Sequence, residues 1–335
     1  MGCAGDENGR DLAAGWRGLL GIRGAQLGEP VAVPRAPYAD AVFTGKIASR
    51  RLVEASGLAL SRLRNDLLWS INDGGHTPRL FAFGTDGVDL GFVGVADPRE
   101  KVEKDWESLA TFEHAGHAYL VVADVGDNFS WRRSSELLVI EEPPLTGERF
   151  AEGATARVAW RVRFRFEDGP RDCEALAIDP ATRHALLISK RTEPPVLYEL
   201  PLLPESGEAD ALRVARRLGT LPGIPPPTRD DVSEARYLGR YRSMPTGLDL
   251  SADGRLAAVI TYKDAYLFER SPDEDWAATF ARTPERIPLP PMRQAEAISF
   301  SPNQRSLYVT SEKRPAPLYR FDWRGGAVKG AVLKN

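Results

Sequence analysis

Five times along the chain a short strand pattern opens with one small frame. The frames are Ala55-Ser56-Gly57-Leu58, Trp106-Glu107-Ser108-Leu109, Cys173-Glu174-Ala175-Leu176, Pro245-Thr246-Gly247-Leu248 and Ala295-Glu296-Ala297-Ile298. Self-similarity at intervals of about 50 to 70 residues marks a radial or stacked repeat, in which each unit buries its apolar face only against its neighbours. Behind each frame a turn leads to a second period-two strand, for example Leu67 to Ile71 or Ala257 to Thr261, and then to a third, such as Leu80 to Phe83 or Leu318 to Phe321. A more polar fourth strand follows in most repeats, as in Val158 to Phe166. Four antiparallel strands per repeat predict an all-β chain, a β-propeller of five four-stranded blades. The second and third intervals are longer, the third holding Pro222-Gly223-Ile224-Pro225-Pro226-Pro227, so six blades is the alternative.

Val42 to Arg50 reads as a strand with no blade of its own. It can supply the fourth strand of the last blade and leave no open edge. The predicted organisation is therefore an N-terminal tail over residues 1–41, one propeller domain over 42–328 and a C-terminal tail over 329–335. Within the first tail, Leu12 to Leu20 could form a short helix. At 335 residues and 42% hydrophobic content the chain can bury a large core. Its net charge of −3 gives no global attraction to nucleic acid or to an anionic membrane surface. No apolar run approaches the roughly 18 residues of a membrane helix, which predicts a chain with no transmembrane segment. Only Cys3 and Cys173 are present, so a disulfide framework is not expected. Gly2-Cys3 before a polar stretch is similar to the acylation site of bacterial lipoproteins, which implies a lipid anchor at Cys3 and a place in the cell envelope or outside the cell. A monomer is expected, since a closed ring leaves no edge to pair.

The first strand of a propeller blade lines the axis, so residues at its start converge with their equivalents. Ser56, Glu107, Glu174, Thr246 and Glu296 then form a ring of oxygens. Three carboxylates in a low-dielectric channel must either take up protons or share a cation. Oxygen ligands of this kind suit calcium (Ca2+) better than zinc or copper, and magnesium wants fewer protein ligands.

The second strand runs back to the same end, so its exit loop lies over that mouth. There the sequence places Asn72 and Asp73, Asp124, Asp127 and Asn128, Lys190 and Arg191, Tyr262 and Lys263, and Glu312. Asp105, Arg171, Asp172, Arg293 and Gln294 approach from the strands that lead into the frames. Cations beside a metal suit a phosphate or carboxylate, so a small anionic molecule or a protein partner is the expected ligand. Gly126 is expected to take a turn conformation that aims Asp124 and Asp127 inward. Asp73 and Asp127 are the candidates to orient a water against a metal-bound group, which would make the chain a hydrolase. No Gly-x-Ser-x-Gly elbow, phosphate loop, zinc-spaced cysteine pair or His-Glu-x-x-His is present. Cys173 reads as a small buried apolar residue, and His114 and His117 as exposed turn residues.

The Ser56, Glu107, Glu174, Thr246, Glu296 series resembles the axial set of the calcium-activated nucleotidases, or apyrases, with Thr246 in place of a second serine. That resemblance implies a five-bladed propeller with one axial calcium and hydrolysis of nucleoside diphosphates and triphosphates. Asn72-Asp73-Gly74-Gly75-His76 departs from the Asp-Asp-Arg-Thr-Gly of those enzymes and lacks its arginine. Asp105 to Ala110, Ala123 to Asn128, Glu174 to Asp179 and Thr246 to Ser251 look more like a group of bacterial secreted propellers of unsettled function. The chain more distantly resembles six-bladed calcium lactonases and esterases. Taken together the expectation is a calcium-binding propeller that holds a small anion or a partner, with hydrolysis of a phosphoanhydride, ester or lactone as the alternative.

Overall fold

A computed structural model describes residues 26–96, 105–204, 211–235 and 238–324. Cys3, the segment Leu12 to Leu20 and the C-terminal tail lie outside the described residues. Strand β1 (Val42–Lys46) precedes four strands of the first blade, β2 (Ala55–Leu60), β3 (Leu67–Asn72), β4 (Arg79–Gly84) and β5 (Asp89–Ala96). The second blade is β6 (Trp106–His114), β7 (His117–Asp124), β8 (Ser135–Glu141) and β9 (Thr155–Phe166). The third is β10 (Cys173–Ile178), β11 (His184–Ser189), β12 (Val196–Pro201) and β13 (Arg213–Thr220). Next come β14 (Pro245–Leu250), β15 (Leu256–Thr261), β16 (Asp264–Glu269) and β17 (Glu285–Pro288). The last is β18 (Ala295–Phe300), β19 (Ser306–Ser311) and β20 (Pro317–Asp322), against which β1 pairs antiparallel. The all-β propeller architecture is therefore present, and the strand before the first frame completes the last blade.

Alternation explains why these segments are strands and where each packs. In the first two strands of a blade nearly every residue is buried, because both faces of a blade meet a neighbouring blade. The fourth strands alternate, as in β9, where Val162, Phe164 and Phe166 face inward and Arg163 and Arg165 face solvent. Five apolar clusters result, one between each pair of adjacent blades. The cluster formed by Leu58, Leu60, Phe81 and Phe83 with Ala297, Tyr308 and Leu318 joins the last blade to the first and closes the ring. Tail residues Ala36 and Tyr38 belong to the cluster between the fourth and fifth blades, so this part of the tail is core.

Two short helices interrupt the fourth repeat's surroundings. In α1 (Arg229–Glu234), Thr228 and Asp231 form a reciprocal capping box. In α2 (Trp276–Ala281), the Asp275 side chain caps the Ala278 amide, and Trp276 and Phe280 fill the cluster between blades three and four. No helix among the described residues is long and apolar enough to cross a membrane.

Candidate functional site

Every first strand carries a bulge at its frame. The pairing register slips by one residue at Glu107, Glu174, Thr246 and Glu296, and at Gly57 beside Ser56. A bulge leaves one residue outside the ladder and re-aims its side chain. In blades two to five the bulged residue is the frame residue itself, Glu107, Glu174, Thr246 or Glu296, whereas in the first blade Ser56 stays paired with Ile71 and the glycine beside it bulges. All five residues are buried.

A second series lies one residue past the partner strand. Pairing of Ala55 with Asn72, Trp106 with Asp124, Cys173 with Ser189, Pro245 with Thr261 and Ala295 with Ser311 makes Asp73, Val125, Lys190, Tyr262 and Glu312 equivalent. In four blades the amide at this position donates to the carbonyl two residues before the frame oxygen: Asp73 to Glu54 (3.0 Å), Val125 to Asp105 (3.2 Å), Lys190 to Asp172 (2.9 Å) and Glu312 to Gln294 (3.0 Å).

Charge is divided unevenly around the mouth. On the side of blades three and four the buried Lys190 ammonium pairs with Glu174 and sits 5.2 Å from the centroid of the Tyr262 ring. Burial opposes that charge, but Glu174, Tyr262, Glu296 and Asp172 hold the Lys190 proton well above the ordinary range. On the side of blades one and two no described lysine pairs with Asp73, Asp105 or Glu107, and the Arg132 and Lys190 charges merely oppose the rise at Asp105. Asp73, Asp105 and Glu107 offer carboxylate oxygens that all lie within 4.8 Å of one another. Burial, then the Glu174 and Asp105 charges, push Asp73 up to about 8. Burial, Asp73 and Glu174 raise Glu107 far above the carboxylate range, and burial raises Asp105. Glu296 is raised by burial and by Glu174. Glu174 stands at about 7, lifted by burial and held down by Lys190, and its Oε2 has no hydrogen-bond partner among the described residues.

Two glycines make room for this crowding. A Cβ on Gly126 would stand 2.3 Å from Asp105 Oδ2 and 2.5 Å from Glu107 Oε1, and one on Gly74 would stand 2.0 Å from Asp105 Oδ1. Gly126 has no left-handed backbone. The turn conformation expected for it is replaced by a packing requirement, close approach of two carboxylates.

The remaining residues named from sequence divide into neighbours and supports. Ser56 Oγ donates to the Glu107 carbonyl (2.6 Å) and Thr246 Oγ1 to that of Ala295 (2.8 Å), so each hydroxyl links its blade to the next. Asn72 holds the Arg51 to Glu54 backbone. Asp124 accepts from the Asp105 amide and from Arg132 at 2.8 Å. Both carboxylate oxygens of Asp127 accept backbone amides of its own loop, from Trp131 and Arg132. Arg191 pairs with Asp172 and reaches Asn128. Lys263 pairs with Asp231 of α1 at 2.6 Å, and Glu312 with Lys313 and Gln294. Of the two candidate catalytic acids, Asp73 stands in the carboxylate group and Asp127 fastens a loop. Cys173 is fully buried, as expected.

Asp105 was not among the metal ligands expected from sequence. Its signal was available: it sits two residues before a frame oxygen, where Glu54, Asp172 and Gln294 also stand. An all-oxygen donor set around a crowded, partly unpartnered charge fits a hard divalent cation.

Fold and site together define a β-propeller with an acidic axial mouth. No protein-family model and no curated protein matches the chain. Among solved structures it is similar to an aldose sugar dehydrogenase from Streptomyces coelicolor in its PQQ-bound form, at 9% identity over 86% of this chain and 99% of that one, with a TM-score of 0.45. It is also similar to a gluconolactonase from Xanthomonas campestris, at 12% identity over 90% and 99%, with a TM-score of 0.43. A third is the β-propeller domain of Cps50 (Swd1) from Myceliophteria thermophila, at 17% identity over 80% and 64%, with a TM-score of 0.36.

Proposed function

We propose that this chain is a calcium-dependent propeller that binds a small anionic ligand at the axial mouth, through a cation held by Asp73, Asp105 and Glu107. The convergence of those three carboxylates within 4.8 Å carries the reading. Calcium accepts six to eight oxygens, solvent included, and so tolerates the irregular set better than magnesium, which demands a near-ideal octahedron. Asp73 and Asp105 are half-buried while Glu107 is buried, which supports a cation partly accessible to solvent or ligand from the side of the two aspartates. A purely structural ion is enclosed by protein ligands, whereas an open position admits a ligand oxygen.

Calorimetric titration of chelator-treated protein with calcium tests this. The expected outcome is a single site, weakened in Glu107→Gln by roughly 10- to 100-fold or more, the loss seen when even a supporting residue is removed. Absence of heat and of any change in Tm would overturn it.

The same open side favours a second reading, hydrolysis of a phosphoanhydride, ester or lactone. A bound cation would supply Lewis-acid polarisation of the reacting oxygen. Phosphate release from nucleoside diphosphates, or lactone opening, that disappears with chelator supports it; failure with both substrate types leaves binding alone.

A further inference from the structure

Glu174 raises both Glu107 and Glu296, so the frame acids of the second, third and fifth blades lie within electrostatic reach of one another. Such a trio must take up protons or share positive charge. Part of that charge belongs to the chain itself. Lys190 is buried, and its ammonium pairs with one oxygen of Glu174 and lies over the Tyr262 ring, 5.2 Å from the centroid. A carboxylate and an aromatic face together make a cradle for a cation. The second oxygen of the buried Glu174, Oε2, has no hydrogen-bond partner among the described residues, so the acid still has an acceptor to offer. The Lys190 charge also opposes the rise of Glu296 and of Glu107. Coulomb interaction falls with distance, so an ammonium felt by frame acids of three blades stands toward the axis and not against the wall of its own blade. Backbone geometry anchors it: the Lys190 amide donates to the Asp172 carbonyl at 2.9 Å. The equivalent position in the other blades is Asp73, Val125, Tyr262 or Glu312, so only the third blade supplies a cation there.

We propose that Lys190 is a tethered counter-ion, its ammonium filling the cation position beside Glu174 and Glu296 and so confining any metal ion to the Asp73, Asp105 and Glu107 side of the mouth. The lysine then determines how many divalent ions the mouth accepts and where. The confinement rests on the reading of those three carboxylates as the calcium site, whereas the occupancy of the opposite side by Lys190 does not.

The test counts calcium ions bound to the full chain, by calorimetry and by equilibrium dialysis. The parent should take one ion. Lys190→Met removes the charge, keeps much of the length and should take two. Adding Glu174→Gln to it should return the count to that of the parent, because the acceptor of the second ion is gone. Lys190→Arg keeps the charge and should also stay at the parent's count. Breaking a buried ion pair destabilises a fold, so Lys190→Gln, which still donates to Glu174, is the second uncharged variant and should take two as well. Dialysis reads the count even where a variant folds only with calcium present. No gain in either uncharged variant overturns the proposal, as does a gain that survives Glu174→Gln or appears in Lys190→Arg. A parent that takes none beside a Lys190→Met that takes one would overturn the reading of Asp73, Asp105 and Glu107 and leave this one standing; one ion in the parent and in both uncharged variants would do the reverse.

Discussion

At Lys190 one ammonium answers Glu174, while across the mouth Asp73, Asp105 and Glu107 crowd together with no ion pair among the described residues, the Arg132 and Lys190 charges merely opposing the rise at Asp105. The consequence is a pH dependence of unusual sign for carboxylates. Asp73, at about 8, and Glu174, at about 7, keep protons in the folded chain that they release near pH 4 when unfolded. The folded state then binds more protons than the unfolded one, and its stability falls as pH rises from about 4 through about 8. Thermal melts in chelator should show Tm declining between about pH 5 and about pH 9. A cation bound as proposed would displace those protons and bind more tightly as pH rises, so added calcium should reduce or reverse the decline. A Tm in chelator that is flat or rising across that window would contradict the crowded site. The residue types here were legible from the repeat alone. What escaped was the partition, because register says which positions are equivalent but not that a lysine side chain would reach down to one carboxylate and leave the others.

The first strands convert a sequence repeat into a site through their bulges. A frame such as Trp106-Glu107-Ser108 reads as plain alternation, and nothing in it announces that Glu107 stands outside the ladder. Strand order and the closing role of β1 were legible for the opposite reason: short runs of apolar and β-branched residues bounded by turn clusters mark the inner strands, and period-two burial marks outer ones such as β9. Loop chemistry was harder to read. Asp127 looks like a candidate acid in sequence and is spent on two backbone amides, a local bond that only the folded loop reveals. Gly126 offers the element-scale prediction. Gly126→Ala places a Cβ against both Asp105 and Glu107 and must push the carboxylates apart. Calcium affinity should fall by roughly 10- to 100-fold, with only modest loss of stability in chelator. Unchanged affinity would show that the glycine is not needed for the cation site.

Across the whole molecule the blades are held by the five apolar clusters, but one feature breaks the symmetry. Strand β9 pairs parallel with β5 at Gly94 to Ala96 and with β13 at Arg213 to Ala215, so the outer strands of the first three blades share one hydrogen-bonded sheet. The fourth and fifth blades share no such ladder with a neighbouring blade, and are bridged instead by residues 34–39, which pair with Arg286 at the fourth blade's outer edge and with Trp323 after the last strand of the fifth. The ring is therefore laced in two ways, by a strand ladder on one arc and by the N-terminal segment on the other. Amides of β9 that bridge to β5 and β13 should exchange more slowly than those of β1, which pairs on one side only, with β20, and equal protection would refute the distinction. Asp73, Asp105 and Glu107 all come from the two blades whose outer strands β5 and β9 share a ladder, so the spacing of the three carboxylates is set by blades that are tied together at their rims as well as packed at their cores.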